Sequence, residues 1–256
     1  MTAQQTFRQR FLAREHMVGT FLKIPTSHTA EIIGSVGFEF VIIDEEHAPF
    51  DRVSIDMALL GARAAGTAGL VRIAEPTHSR ILACLDDGAA GVLVPHISSA
   101  DKARGLAAAF RYRGGKRGFS NTTRAGDFGA VGLWDHVSRG DDQATFIAMI
   151  EDPEALDEID AIVATEGLDG VFIGRGDLTV AMGAEAMDSP EIIAACQKIM
   201  AAARAVNKPI AIMAGSAEEA AGYREMGASA FVISGDQGFL RSAAASAYKT
   251  FSSIGR

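Results

Sequence analysis

Charged residues gathered where apolar runs end are the chemically loaded feature of this sequence. Asp44, Glu45, Glu46 and His47 follow FEFVII, Arg72 sits inside LVRIAEP with Glu75 after it, and Glu151 and Asp152 follow TFIAMI. Arg175, Gly176 and Asp177 follow GVFIG, His96 closes GVLVP, and Asp236 follows AFVISG. If Glu151 and Asp177 end neighbouring strands, two like charges meet. That is costly unless one is protonated or a cation lies between them. Oxygen donors with no cysteine among them favour a hard ion, Mg²⁺ or Mn²⁺. The other reading is helix capping, for which Asp152 before Pro153 is suited. His47, with Asp44 three residues earlier, reads as a proton-transfer base and its orienting acid, or as a structural histidine. The guanidinium of Arg72 needs an anion or a developing oxyanion in front of it, or a buried salt bridge to a strand-end carboxylate. Gly174-Arg175-Gly176 offers backbone N–H groups to a ligand carboxylate, but the third glycine of a dinucleotide loop is absent.

Elements that would position these groups are legible in the apolar patterning. Strand-like runs occur at 17–24, 38–47, 69–76, 91–97, 145–152, 170–178, 209–216 and 230–238, with helical patterns at 52–65, 78–87, 99–109, 154–165, 190–206 and 217–226. Near-continuous apolar strands alternating with helices imply a parallel sheet buried on both faces, and eight such units predict an α/β fold of the (β/α)₈ TIM-barrel type. The alternative is a doubly wound open sheet. A length of 256 residues fits one such barrel, so residues 1–256 are expected to form a single domain. In this fold the strand C-termini carry the active site, where the charged residues stand. Residues 111–144 show neither period. Within them Arg111, Arg113, Lys116 and Arg117 read as an anion-binding loop or as a solvated basic one. The last helix spaces Phe239, Ala243, Ala247 and Phe251 four apart, a stripe that must pack on its own barrel or on a neighbour.

Composition narrows the classes. Apolar types make up 48% of the chain, and the net charge of −8 disfavours nucleic acid and anionic membranes. Cys84 and Cys196 lie too far apart for a thiolate zinc motif. The absence of an apolar leader or a long apolar span predicts a soluble cytoplasmic protein.

Five segments in this order, FEFVIIDEEHAP, LVRIAEP, CLDDGAAGVLVPHI, AMIEDPEAL and VFIGRGDLTVAMG, resemble the HpcH/HpaI family of class II pyruvate aldolases. The resemblance runs from about residue 18 to 236, with 25 residues from His47 to Arg72 and 14 from Arg72 to Asp86. It implies a barrel enzyme that reversibly cleaves 4-hydroxy-2-oxo acids to an aldehyde and pyruvate, or a related 2-oxo acid such as hydroxypyruvate, through a metal-stabilised enolate. By the same resemblance Glu151 and Asp177 hold the metal, Mg²⁺ or Mn²⁺ with Co²⁺ as a further candidate, and His47 is the base. Arg72 steadies the enolate oxygen, Asp44 or Asp86 sets the histidine tautomer, and the Gly176 N–H receives the substrate carboxylate. Met149 stands where the family commonly has a substrate-binding glutamine. Arg175 and Gly176 replace the usual Pro and Ala, which points to polar or acidic acceptor aldehydes. The family further implies a homohexamer, a trimer of dimers that exchange their last helix. Two rival chemistries remain: a Schiff-base aldolase using Lys23, and a related barrel lyase acting on acyl-CoA.

Overall fold

In the computed structural model, which describes residues 3–254, eight parallel strands close on themselves in sequence order. They are β1 (Met17–Leu22), β2 (Phe40–Asp44), β3 (Ala68–Arg72), β4 (Gly91–Val94), β5 (Thr145–Ile150), β6 (Gly170–Ile173), β7 (Ile210–Met213) and β8 (Ala230–Gly235). The helices are α1 (Ala3–Leu12), α2 (Ser27–Val36), α3 (Arg52–Ala64), α4 (His78–Asp86), α5 (Ala100–Ala107), α6 (Leu133–Gln143), α7 (Ile159–Val163), α8 (Arg175–Ala181), α9 (Pro190–Ala205), α10 (Ala217–Glu225) and α11 (Asp236–Phe251). The chain is a (β/α)₈ barrel, as the eight apolar runs predicted. No described helix is long and apolar enough to cross a membrane.

Period-2 alternation divides the strand side chains between two cores. Phe40 and Ile42, Leu70, Ile147 and Met149, and Phe172 fill the barrel interior. Val41 and Ile43, Val71, Ala148 and Ile150, and Val171 and Ile173 meet the surrounding helices. The same parity carries Asp44 after Phe40 and Ile42, Arg72 after Leu70, Glu151 after Ile147 and Met149, and Gly174 after Phe172. Each therefore continues an inward-facing series beyond the apolar layers. Register does the rest, since Asp44 lies directly opposite Arg72 across the β2–β3 ladder.

Four helices depart from the sequence reading, one of them α8, which begins at Arg175 inside the run 170–178 expected as a strand. Helix α1 was not anticipated; its Phe7 and Phe11, stacked with ring centroids 5.6 Å apart, join the interior core beside Phe40. Burying two such rings contributes roughly 1.5–3 kcal/mol each. Helix α2 also escaped, although Thr26 caps it by accepting from the His28 N–H and Gly37 ends it in a left-handed conformation. Inside the supposedly unstructured 111–144 lies α6, preceded by a kinked 3₁₀ turn at Arg124–Gly129. Only His136 and Val137 of α6 are buried and it has no side-chain cap, so no start signal marks it in the sequence.

The C-terminal stripe is divided. Phe239 packs edge-on against Phe38, with centroids 6.0 Å apart, whereas Phe251 and the neighbouring Leu240 and Tyr248 are exposed.

Candidate active site

At the C-terminal ends of β1 to β3 a cationic clamp forms around one carboxylate. Asp44 is fully buried and accepts from Arg72 Nε at 2.9 Å and Nη2 at 2.7 Å, while Lys23 Nζ reaches its Oδ2 at 2.9 Å. Burial alone would raise the Asp44 pKa, but hydrogen bonding and charge from Arg72 and Lys23 overcome it and hold the carboxyl below its ordinary value. Arg72 is thus the buried salt bridge that was one of its two readings, and it retains a free hand. Its Nη1 lies 3.3 Å from Glu46 Oε2, and its guanidinium carbon sits 4.9 Å from the centre of the Phe21 ring.

Beside this clamp, where the segments after β2, β4 and β5 converge, carboxylates crowd together. Ligand atoms of Glu46, His96 and Glu151 all lie within 4.8 Å of one another. Glu151 accepts from the His96 backbone N–H at 2.9 Å, and the His96 ring contacts Glu151 at 3.6 Å and Glu46 at 3.6 Å. Burial, with Asp177 and Glu46 as like charges, pushes the Glu151 carboxyl up to about 7 against the pull of His96. Glu46 Oε2 is buried without a hydrogen-bond partner. Two carboxylate oxygens and an imidazole nitrogen arranged in this way, with Glu46 Oε2 lacking a hydrogen bond, fit a hard divalent cation.

Backbone features hold this half in place. His96 sits at φ 55°, a left-handed conformation uncommon for a residue with a Cβ, and it is this bend that aims its N–H at Glu151. Gly174 is required for a different reason: a Cβ there would lie 2.6 Å from Glu151 Cβ and 2.8 Å from its Oε2. Asp152 does not cap the turn at Pro153–Leu156; its side chain instead meets His96 Nδ1 at 3.0 Å.

The structure brings Asp44, Arg72, Met149 and Glu151 together, with Met149 Sδ 4.0 Å from Arg72 Nη1. Asp177, near the start of α8, is exposed and near enough to Glu151 to act on it electrostatically. Gly176 lies beside it in the first turn of α8, a helix with no side-chain cap. His47 is exposed on the rim, with Nε2 3.8 Å from Glu46 Oε2. Asp44 does not orient its ring: both oxygens of that carboxylate are taken by cations, and its contact with His47 is to the backbone N–H, at 3.2 Å. Asp86, at the end of α4, pairs with Arg117 at 3.5 Å and touches none of the mouth residues, so the partnership with His47 is not made within one chain. Arg175 is engaged by Glu219 at 2.6 Å and by the Met213 carbonyl at 2.9 Å. Sequence reasoning gave no role to Glu46 or His96. Both follow strands, and only the folded loops show which way they turn.

The chain matches the HpcH/HpaI aldolase/citrate lyase family over residues 17–243. It belongs to that family. A 5-keto-4-deoxy-D-glucarate aldolase of Salmonella arizonae is 32% identical over 249 residues, covering 96% of both chains. Among solved structures, an HpcH/HpaI aldolase/citrate lyase family protein from Burkholderia cenocepacia superposes with a TM-score of 0.91 at 27% identity, covering 97% of this chain and 100% of the other. Citrate synthase SbnG superposes at 0.89 with 25% identity, covering 98% and 99%. This HpcH/HpaI family member is a carbon–carbon lyase.

Proposed function

We propose that the chain is a divalent-metal-dependent aldolase that reversibly cleaves 4-hydroxy-2-oxo acids to an aldehyde and pyruvate or hydroxypyruvate. The observation that carries this reading is the cluster of Glu46, His96 and Glu151, crowded at the strand ends and faced by the guanidinium of Arg72. Glu151, with Asp177 or with Glu46 and His96, would hold the cation, Mg²⁺, Mn²⁺ or Co²⁺. Such an ion supplies a Lewis acid that lowers the cost of negative charge developing on the ketone oxygen of a 2-oxo acid.

The chain's own groups fit the remaining tasks. Arg72 is held in one orientation by Asp44 and keeps Nη1 toward the mouth, a fixed positive partner for an enolate oxygen. His47, on the rim and in reach of solvent, moves the proton at the carbon beside the ketone. The N–H of Gly176 is left for a substrate carboxylate, and Met149 lines the floor below Arg72. Lys23 is poorly placed for a Schiff base, because its ammonium is clamped on a carboxylate that Arg72 also holds.

Methyl-proton exchange of pyruvate in D₂O, followed by NMR, tests the proposal. Exchange is expected with Mg²⁺, Mn²⁺ or Co²⁺ and is abolished by chelator; no exchange with any of them refutes the reading. Borohydride trapping of pyruvate on Lys23 would favour the Schiff-base route instead. The likeness to citrate synthase SbnG keeps an acyl-CoA reaction as a second reading, distinguished by CoA-dependent turnover without pyruvate exchange. We also infer a cytoplasmic homo-oligomer, a hexamer by family expectation, supported by the apolar side chains that α11 leaves exposed.

A further inference from the structure

Away from the mouth, beside the N-terminal ends of β4 and β5, a pocket of about 140 Å³ is lined by Arg63, Arg117, Arg124, Arg139 and His136. Asp127 is the one acidic side chain in its wall and has to serve both Arg139, at 3.2 Å, and Arg63, at 3.8 Å. Arg124 places Nε and Nη2 on a single oxygen of Asp56, outside the wall. Arg117 has a side chain only 2% exposed and reaches Asp86 at 3.5 Å, and its Nε is buried with no hydrogen-bond partner. His136 is 1% exposed; its Nε2 meets the Tyr112 hydroxyl at 3.0 Å, while Nδ1 faces the Ala125 carbonyl.

These groups are held, not merely crowded. Tyr112 lies 4.4 Å from the Arg117 guanidinium carbon, and a Cβ at Gly140 would fall 2.7 Å from the Tyr112 ring and 3.3 Å from Arg117 Nη1. A buried guanidinium N–H left unsatisfied is costly, and folded proteins rarely tolerate it without water or a ligand. Four guanidinium groups against three carboxylates, Asp56, Asp86 and Asp127, leave a net positive concavity. Planar N–H forks of this kind match oxygen anions.

We propose that this pocket is a second ligand site, separate from the catalytic mouth, that binds a small oxyanion, either a phosphate group or the carboxylates of a small organic acid. None of its lining residues belongs to the strand-end cluster. Its backbone wall includes Ala90 and Ala144, the residues directly before the strands that lead to His96 and Glu151. That placement suits an effector better than a substrate.

Calorimetric titration of the full chain with inorganic phosphate and, separately, with malonate tests the site and tells the two sources apart. The expected result is saturable binding of at least one anion, weakened at least about tenfold by Arg63→Gln and by Arg139→Gln and unchanged by Arg175→Gln. Both pocket side chains are partly exposed, so melting curves recorded alongside separate lost binding from lost fold. Trp134, the single tryptophan of the chain and on the same helix as Arg139, gives an independent optical readout. Binding of phosphate alone or of malonate alone identifies the source. The proposal is overturned if neither anion binds at millimolar concentration, or if binding survives both pocket substitutions or is lost with Arg175→Gln.

Discussion

Asp44 and Glu151 are both carboxylates just past apolar strand layers, both withdrawn from water, and they respond to burial in opposite ways. Asp44 is enclosed by two cations that more than offset its desolvation, and its carboxyl is held low. Glu151 is enclosed by burial and other carboxylates and is pushed up to about 7, despite the nearby His96. One side of the mouth is electrostatically complete and the other is not. The complete side is a fixed scaffold, and the incomplete side is where the proposed function would place a cation.

Replacing each carboxylate by its amide is the most direct way to break this contrast. Asp44→Asn leaves Arg72 and Lys23 without their shared anion and should cost about 3–5 kcal/mol of stability, measured by urea denaturation. Glu151→Gln should do the reverse to the metal-free fold, stabilising it at pH 8, while lowering metal-dependent turnover on the order of 10³-fold, or about 4 kcal/mol. Equal destabilisation by the two substitutions would erase the distinction.

The pH response sharpens it. Glu151 has a folded pKa of about 7 against an ordinary 4.5, so the folded state binds the extra proton between those values. Its contribution to stability is full below about pH 4.5 and is lost as pH rises through 7, a loss of up to about 3 kcal/mol. Asp44, with its lowered pKa, contributes in the opposite sense: its stabilisation is present above its ordinary 3.8 and disappears as pH falls below that value. Denaturation of the metal-free chain across pH 3–8 should show both limbs, and saturating Mg²⁺ should flatten the upper one. Because the cation competes with that proton, its affinity should rise with pH up to about 7.

Smaller effects test the supports. Gly174→Ala should cost about 1–3 kcal/mol, since its Cβ and the Glu151 side chain would occupy the same space, and it should weaken metal binding in parallel. Arg175→Ala should change kcat/KM least, because its guanidinium is already satisfied by Glu219 and Met213. A large, selective loss with acidic aldehydes would instead restore the acceptor-binding role that its replacement of proline suggested.

How far the sequence could be read followed from which forces were local. Strand parity placed Asp44, Arg72 and Glu151 in the mouth because period-2 alternation continues past the apolar layer, and the apolar runs themselves made the barrel legible. Turns were not legible in the same way. The left-handed bend at His96 turns that residue onto Glu151, and nothing in GVLVPHI announces it. Asp152 looked like a cap because it precedes Pro153, yet the competing partner, His96, arrives from a different strand. The role of Asp86 rests on resemblance alone, and its partner within the chain is Arg117, in a segment whose sequence carries no clear period.

The stacked phenyl rings of α1 also bear on the order in which the molecule is completed. Arg8, between them, binds Asp169 at 2.7 Å across 161 residues of chain, and a Cβ at Gly170 would fall 2.6 Å from the Phe11 ring. Helix α1 therefore completes its seat only when β6 is in place. Its docking is a long-range, late contact that raises the loop-closure cost of folding. Once seated, its two rings extend the packed interior at the end remote from Asp44, Arg72 and Glu151, so the late-arriving helix finishes the core on which the charged rim stands.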